Sequence, residues 1–441
     1  MINPEFRRNL WLSFSMHRLI AMPALLGLVF LTAAFYGSAS SARNLYSTAT
    51  VLFTLIVCLW GSINANSAII EELRDKTWDQ QCMSALDPWT MTWGKLFGAT
   101  SFNWYGGAIC LVVLALSGIT ANRSDWLLDL LNLIAIGILL HATVIALNLH
   151  TARFETNLIR RGGMGWIVIV FAYLLFQTLA FPFLISSSSV LWWGMTIGSQ
   201  KVFMLGSALL FMVCAIFAAW RLMSNALQVR TLPWAWPLFV LILSAYYAGF
   251  SSKTPFSFVG FFIAAALSYA TLLTESNSLL IWNKLRLRWQ AKNWRGFLAD
   301  LPLWPTTLLL AFLFAPMADF TSRAGDGATM LFAMALLLLR DACIILFFSF
   351  APNARRPVVV AVLYIIVLDF LLPFLFKSLG LQAIAYFLNP GSRMFFSETY
   401  GSDRVDLLIA GIHAAVALGF VAWRIHESKR REAGPQPGIA A

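Results

Sequence analysis

Leu127 to His150 reads LLDLLNLIAIGILLHATVIALNLH, a run with one acidic residue and no Pro or Gly-Pro break. As a helix rising about 1.5 Å per residue it is about 36 Å long, enough to cross a hydrocarbon core of about 30 Å. The rest of the chain repeats this composition. Of 441 residues, 59 % are apolar and 12 % charged, with 36 Phe and 18 Trp and a mean hydropathy of +0.74. Soluble domains carry about 25 % charged residues. So little charge cannot cover so much apolar surface in water, so the solvent is lipid. A soluble enzyme, a nucleic-acid-binding module and a disordered scaffold are excluded.

Twelve stretches are long and apolar enough to span, or nearly so: 18–37, 47–70, 96–119, 127–150, 164–187, 202–222, 233–250, 256–274, 303–319, 329–351, 357–376 and 406–424. The seventh and ninth are the shortest and each holds two prolines: Pro233 and Pro237, Pro305 and Pro316. The expected fold is an all-α integral membrane protein of about 12 transmembrane helices. Met1 to Arg18 is polar and basic and the following run is long enough to span, which is not the pattern of a cleaved signal peptide.

With the amino terminus in the cytoplasm, 22 of the 31 Lys and Arg fall on inner segments and 8 on outer ones, Arg340 lying within a span. This is the positive-inside asymmetry. The net charge of +11 then belongs to cytoplasmic loops that touch anionic lipid head groups, not to a nucleic-acid surface. A missed span would invert every later loop, so the asymmetry favours an even count with both termini cytoplasmic. The five cysteines, at 58, 82, 110, 214 and 343, have neither disulfide nor metal spacing.

The sequence also echoes itself. Phe181-Pro182-Phe183-Leu184 closes the fifth run and Leu372-Pro373-Phe374-Leu375 the eleventh. Ala218-Ala219-Trp220-Arg221 closes the sixth and Val421-Ala422-Trp423-Arg424 the twelfth. Glu71-Glu72 and Thr274-Glu275 each open a long inner loop that ends in a Pro/Trp cluster. These pairs predict two parallel six-helix repeats, 1–230 and 231–441, related by an axis along the membrane normal. Interfacial amphipathic helices are expected beside them. Residues 4–17 place Phe6, Leu10 and Phe14 on one face, with Pro4 at the first helical position. In the basic loop 275–302, Lys284, Arg288, Lys292 and Arg295 share one helical face, with Trp282, Leu285 and Trp289 on another. The loop 71–95 is polar nearly all round up to Asp87-Pro88-Trp89, with Trp89, Trp93 and Lys95 at the interface. It is either a solvated loop with head-group anchors or a docking element for a soluble partner. The tail 433–441 is expected to be disordered.

The stretch 54–99 resembles the permease subunits of the type-2 family of ATP-binding-cassette exporters. The carrying residues are Leu59-Trp60-Gly61-Ser62, then Ile70-Glu71-Glu72-Leu73-Arg74-Asp75-Lys76-Thr77-Trp78-Asp79, then Ser84-Ala85-Leu86-Asp87-Pro88-Trp89, then Gly94-Lys95-Leu96. In that family an amphipathic helix precedes the first span, and an apolar, partly re-entrant outer segment separates spans five and six; 183–200 and 377–402 are the counterparts. The resemblance implies that the loop after span two docks on a cytoplasmic ATPase subunit. It implicates Glu71, Glu72, Arg74, Asp75, Thr77 and Trp78, with Glu275 as the match in the second half. Most members pair as six-span dimers, so twelve spans imply one chain supplying both halves and two ATPase copies.

The chain has no Gly-x-x-x-x-Gly-Lys-Ser/Thr loop, so ATP and Mg would be bound by the partner, with no cofactor or metal here. No catalytic constellation stands out. Charges within spans are costly and mark function or a fixed ion pair. Arg340 and Asp341 sit mid-span; as helix neighbours they point about 100° apart, and Asp369 is the expected partner of Arg340. His141 occupies a similar depth in span four. The four form either a polar patch on a substrate route or gate, or packing contacts. Two other classes remain: a secondary transporter with two six-span repeats, and a membrane-embedded enzyme or scaffold. The loop 71–95 lacks the Gly-x-x-x-Asp-x-x-Gly-Arg-Arg pattern of the major facilitators. The outer acids, such as Asp125, Asp129 and Asp406, are scattered.

Overall fold

The computed structural model describes residues 3–35, 41–84, 86–152, 189–229, 234–250, 254–275, 277–321, 327–351, 356–390 and 403–433. Several of its helices open on a short polar side chain that takes up free backbone N–H groups. The Asn3 carboxamide accepts from the N–H of Glu5 and Phe6 and, with Pro4 at the first position, opens α1 (Pro4–Ser13). Phe14 turns extended and ends α1 there. The amphipathic helix expected over 4–17 is therefore shorter, and α2 (Met16–Phe35) begins separately. α3 runs from Ser41 to Arg74 through a π-helical turn at Thr54–Trp60. That wider turn leaves carbonyls for side chains: Asn103 Nδ2 donates to Ile56 at 2.9 Å, and His141 Nε2 lies 2.8 Å from the Val57 carbonyl.

The loop after α3 is not one element. α4 (Trp78–Cys82) is a single short turn of helix. Asp87 then opens α5 (Pro88–Gly98), accepting from the N–H of Trp89 and Thr90. The Thr90 hydroxyl, with those N–H groups, holds the Asp87 carboxyl below its ordinary range. The third span thus starts at Ser101 rather than 96: α5 ends at Gly98, and α6 is Ser101–Thr120. α7 (Trp126–Ala152) packs along α8 (Gln200–Ala226). Between them, β1 (Val190–Trp192) and β2 (Met195–Ile197) form an antiparallel hairpin, Trp192 opposite Met195. Trp193 and Gly194 take the positive φ values, 51° and 74°, that its two-residue turn needs. The expected re-entrant segment 183–200 is this hairpin over its described part.

In the second half, α9 (Ala235–Ala248) has 14 residues, about 21 Å, too short to span unaided. α10 is Phe256–Thr274. The basic loop forms α11 (Leu279–Gln290) and α12 (Trp294–Asp300). This corrects the single basic face: Lys292 takes φ 53° and Asn293 caps α12 through the Gly296 N–H. Lys292 and Arg295 are thereby turned out of line with Lys284 and Arg288, which both bind Asp300, at 2.8 and 2.6 Å. α13 (Leu303–Thr321) meets α12 at a 94° bend. α14 is Gly327–Ser349. α15 (Pro357–Ser378) contains a second π-helical turn, Val367–Leu371. α16 is Gln382–Leu388 and α17 is Asp403–Ala433.

Among the described residues nine helices are long and apolar enough to cross a membrane: α2, α3, α6, α7, α8, α10, α14, α15 and α17, with a tenth if α12 and α13 count as one broken span. The protein is an all-α, multi-pass membrane protein. The fifth expected span, 164–187, and the tail 434–441 lie outside the described residues. Contacts gather the chain into two compact units, Met1–Thr231 and Leu232–Ala441. The first has one apolar core around Phe53, Val57 and Leu114 and another around Ile69, Met91, Leu96 and Ile145. The second is built on Phe261, Leu272, Phe314, Leu331 and Phe350. Leu28, Leu116, Leu363, Phe374 and Leu408 point outward instead, as they do on a surface that faces lipid.

Candidate functional site

Among the described residues, a buried cluster of ionisable side chains stands out in each unit. In the first unit, Gly94 and Gly98 lie one turn apart on α5 and let α1 lie directly on it. A Cβ on Gly94 would come within 2.7 Å of the Glu5 Cβ, and one on Gly98 within 2.8 Å of the Asn9 Cβ. This approach brings Glu5 over Lys95. Lys95 is only 1 % exposed and Glu5 5 %. The Lys95 ammonium binds Glu5 Oε1 at 3.3 Å and makes a short contact with Glu72 Oε2. Arg8 Nη1 closes the ring, 3.3 Å from Glu5 and 3.1 Å from Glu72. Gln81 of α4 donates to Glu72 Oε1, and Trp78 lies with its ring centroid 5.6 Å from the Lys95 ammonium. Two carboxylates and two cations balance, which is what burial demands of ionised groups.

The cluster divides the residues singled out in the loop. Glu72 is buried, Thr77 donates its hydroxyl to the Glu72 carbonyl, and Trp78 is half-buried beside Lys95. Glu72 and Trp78 fasten the loop to Lys95 of α5, and Thr77 ties it back to the end of α3. Glu71, Arg74 and Asp75 are exposed and form the free face. Lys95 is a correction to the sequence expectation: it is an internal ion-pair partner, not a head-group anchor. Glu5, Arg8 and Gln81 are not distinguished by any motif; the small residues of Gly94-Lys95-Leu96-Phe97-Gly98 are the one sign in the sequence of a close helix neighbour. Gly98→Leu is expected to lift α1 off α5 at about 1–3 kcal/mol of overpacking. Faster proteolysis between α1 and α2, with the melting of the remaining chain little changed, would report it.

Glu275 is buried in the second unit, where both carboxylate oxygens accept from the Leu303 N–H, at 2.9 and 3.0 Å. It caps α13.

The second cluster lies within membrane-spanning helices. Arg340 and Asp341 of α14 are each 3 % exposed. They pair with each other, against the expectation from the 100° between neighbouring side chains: Arg340 Nε and Nη2 both donate to Asp341 Oδ1, at 2.8 and 2.7 Å. The arginine stem is long enough to fold back over its own turn. Arg340 Nη2 also lies 2.7 Å from both oxygens of Asp369, the partner expected from sequence. Tyr269 of α10 donates to Asp341 Oδ2. Arg340 Nη1 lies 3.3 Å from His413 Nδ1 of α17. A guanidinium only donates, so His413 Nδ1 accepts and the imidazole is neutral, with its proton on Nε2. Neither Tyr269 nor His413 is signalled by the sequence, since single polar residues on apolar helices carry no spacing signal. His141 is fully buried in the first unit against the Val57 carbonyl and edge-on to Trp104; it satisfies the π-helical turn.

Among the described residues no three His, Cys, Asp or Glu side chains gather as a metal site. No protein-family model, curated protein or solved structure matches this chain.

Proposed function

We propose that the chain is the membrane permease subunit of an ATP-binding-cassette transporter, an exporter driven by separate ATPase subunits that dock on its cytoplasmic loops. The observation that carries this reading is the loop after α3. A coupling element needs an exposed face for its partner and a stiff link to the helices it moves. Glu71, Arg74 and Asp75 supply the exposed face, and the Glu72–Lys95–Glu5 cluster supplies the link into α5 and α1. In this reading the halves are parallel six-span repeats, with both termini cytoplasmic in a bacterial inner membrane. The division of contacts between Thr231 and Leu232, and the burial of both Glu72 and Glu275 at the ends of α3 and α10, support it. Two ATPase copies would bind ATP and Mg, close together, and shift the halves to move substrate outward.

Purification of the full chain from its native membrane in mild detergent tests this. Two copies of a P-loop ATPase are expected with each chain. Glu71→Lys with Arg74→Glu should reduce its recovery at least tenfold, leaving the chain's own melting unchanged. A second reading, a secondary transporter with two six-span repeats, is favoured by the buried carboxylates of the second unit. A chain that purifies without ATPase and transports in vesicles under an ion gradient alone would replace the first reading with the second.

A further inference from the structure

The cluster around Arg340 is one proton short. Among the described residues, one guanidinium faces two carboxylates, and His413 is held neutral by accepting at Nδ1. A cluster with two ionised carboxylates therefore keeps an excess negative charge inside membrane-spanning helices, which is costly. The donor count points to the same deficit. Arg340 Nη2 carries two N–H groups, and three carboxylate oxygens lie 2.7 Å from it. The N–H on the Nε side goes with Nε to Asp341, leaving one N–H for both oxygens of Asp369. Asp341 receives Nε, Nη2 and the Tyr269 hydroxyl, and its charge is fully met. Asp369 is undersupplied and, unlike Asp341, keeps some exposure, with 13 % of its side chain accessible against 4 %.

The backbone around Asp369 adds an independent sign. It sits in the π-helical turn Val367–Leu371, four residues before Pro373, and its carbonyl accepts from Asn389 Nδ2 at 2.8 Å. Such turns are frequent at functional positions. α15 is otherwise loosely held: Ala361 is the one buried residue of Pro357–Ile366, and none is buried in Val367–Leu371. Among the described residues, these titratable groups surround Asp369. α14 presents Arg340 and Asp341, with Cys343 beside them; α10 presents Tyr269; α17 presents His413. Lys377 of α15 itself lies eight residues further, about 12 Å along the axis.

We propose that Asp369 is an intramembrane proton-binding site. Its carboxyl takes up and releases one proton, while Asp341 remains the permanent counter-ion of Arg340. The bound proton sits on a carboxylate oxygen of Asp369, and its release leaves the full Arg340–Asp369 ion pair that ties α15 to α14. This goes beyond the permease reading and requires no ATPase, so the two can fail separately.

Infrared difference spectra of the full chain in lipid nanodiscs, recorded as pH is raised, test the site. Wild type should show a buried protonated-carboxyl carbonyl band that disappears reversibly. Asp369→Asn should lack that band and still melt cooperatively. Asp341→Asn should retain only a weakened band, because charge then balances without the proton. If Asp369→Asn does not fold, Asp369→Glu should move the band to the glutamic-acid position. No titrating band in wild type, a band that survives in Asp369→Asn, or one unmoved in Asp369→Glu overturns the proposal. A wild type without the band whose melting rises with sodium at constant ionic strength binds a metal cation there instead, and also overturns it.

Discussion

Lys95→Met is expected to destabilise the first unit by about 3–5 kcal/mol, the usual cost of removing one partner from a buried ion pair. Methionine nearly matches the lysine stem in volume, so the loss is electrostatic rather than a cavity. Glu5 and Glu72 would be left facing each other with only Arg8, whose side chain is 45 % exposed and whose attraction solvent screens. The carboxylates should then repel, releasing α1 and the loop 75–82 together. Thermal melting of the purified chain reads the loss. The control is the triple variant Lys95→Met, Glu5→Gln, Glu72→Gln. It removes the stranded charges and should recover most of the stability, because a buried pair exchanged for neutral groups is often near neutral. It should not recover the stiffness of the loop. An equal loss in both variants would show that Lys95 acts by packing alone.

Part of this site is legible along the helix. Ser62, Ala65, Ile69 and Glu72 recur at intervals of three and four and are all buried; they are one face of α3. That spacing turns Glu72 inward and Glu71 about 100° away from it, so helical periodicity alone divides the acidic pair. It does not name the partners. Glu5 and Lys95 are separated by 90 residues, and pairing at that distance is decided by packing of α1 on α5, not by local pattern. The apolar runs are the most legible feature, since a span needs only length and composition. Their interruptions are the least. Asp87-Pro88, an N-cap and first-turn proline, marks the start of α5, but the same two residues serve equally well as a stop for the helix before them. The basic face is broken by Asn293, which caps α12; periodicity of charge alone cannot register one left-handed residue at Lys292.

The two clusters differ in charge balance, and that difference has consequences. The ring of Glu5, Arg8, Glu72 and Lys95 is neutral with its members ionised, and suits a permanent joint. The ring of Arg340, Asp341 and Asp369 is neutral only with a proton added, and suits a joint that changes with occupancy. A helix that holds to its unit by little burial, as α15 does, depends on such a joint more than a well-packed one does.

Substitution at Arg340 should therefore produce the largest effect in the second unit, and the order of effects tests the account. Arg340→Gln strands Asp341 and Asp369 among membrane-spanning helices without a cation, an expected loss of about 3–5 kcal/mol or more. Asp341→Asn leaves Arg340 paired with Asp369 and should cost less, through weaker hydrogen bonds from Nε and Tyr269. Asp369→Asn removes the excess charge and should cost least of the three, since its amide oxygen still accepts from Nη2. The double variant Arg340→Gln, Asp369→Asn should recover part of the Arg340→Gln loss, as one of the two stranded carboxylates is gone. Melting temperatures in one detergent, with yield of folded chain as a second measure, rank the four. A loss in Asp369→Asn as large as that in Arg340→Gln would mean that both carboxylates are ionised and equally needed, and the cluster would then be a fixed packing joint like the one around Lys95.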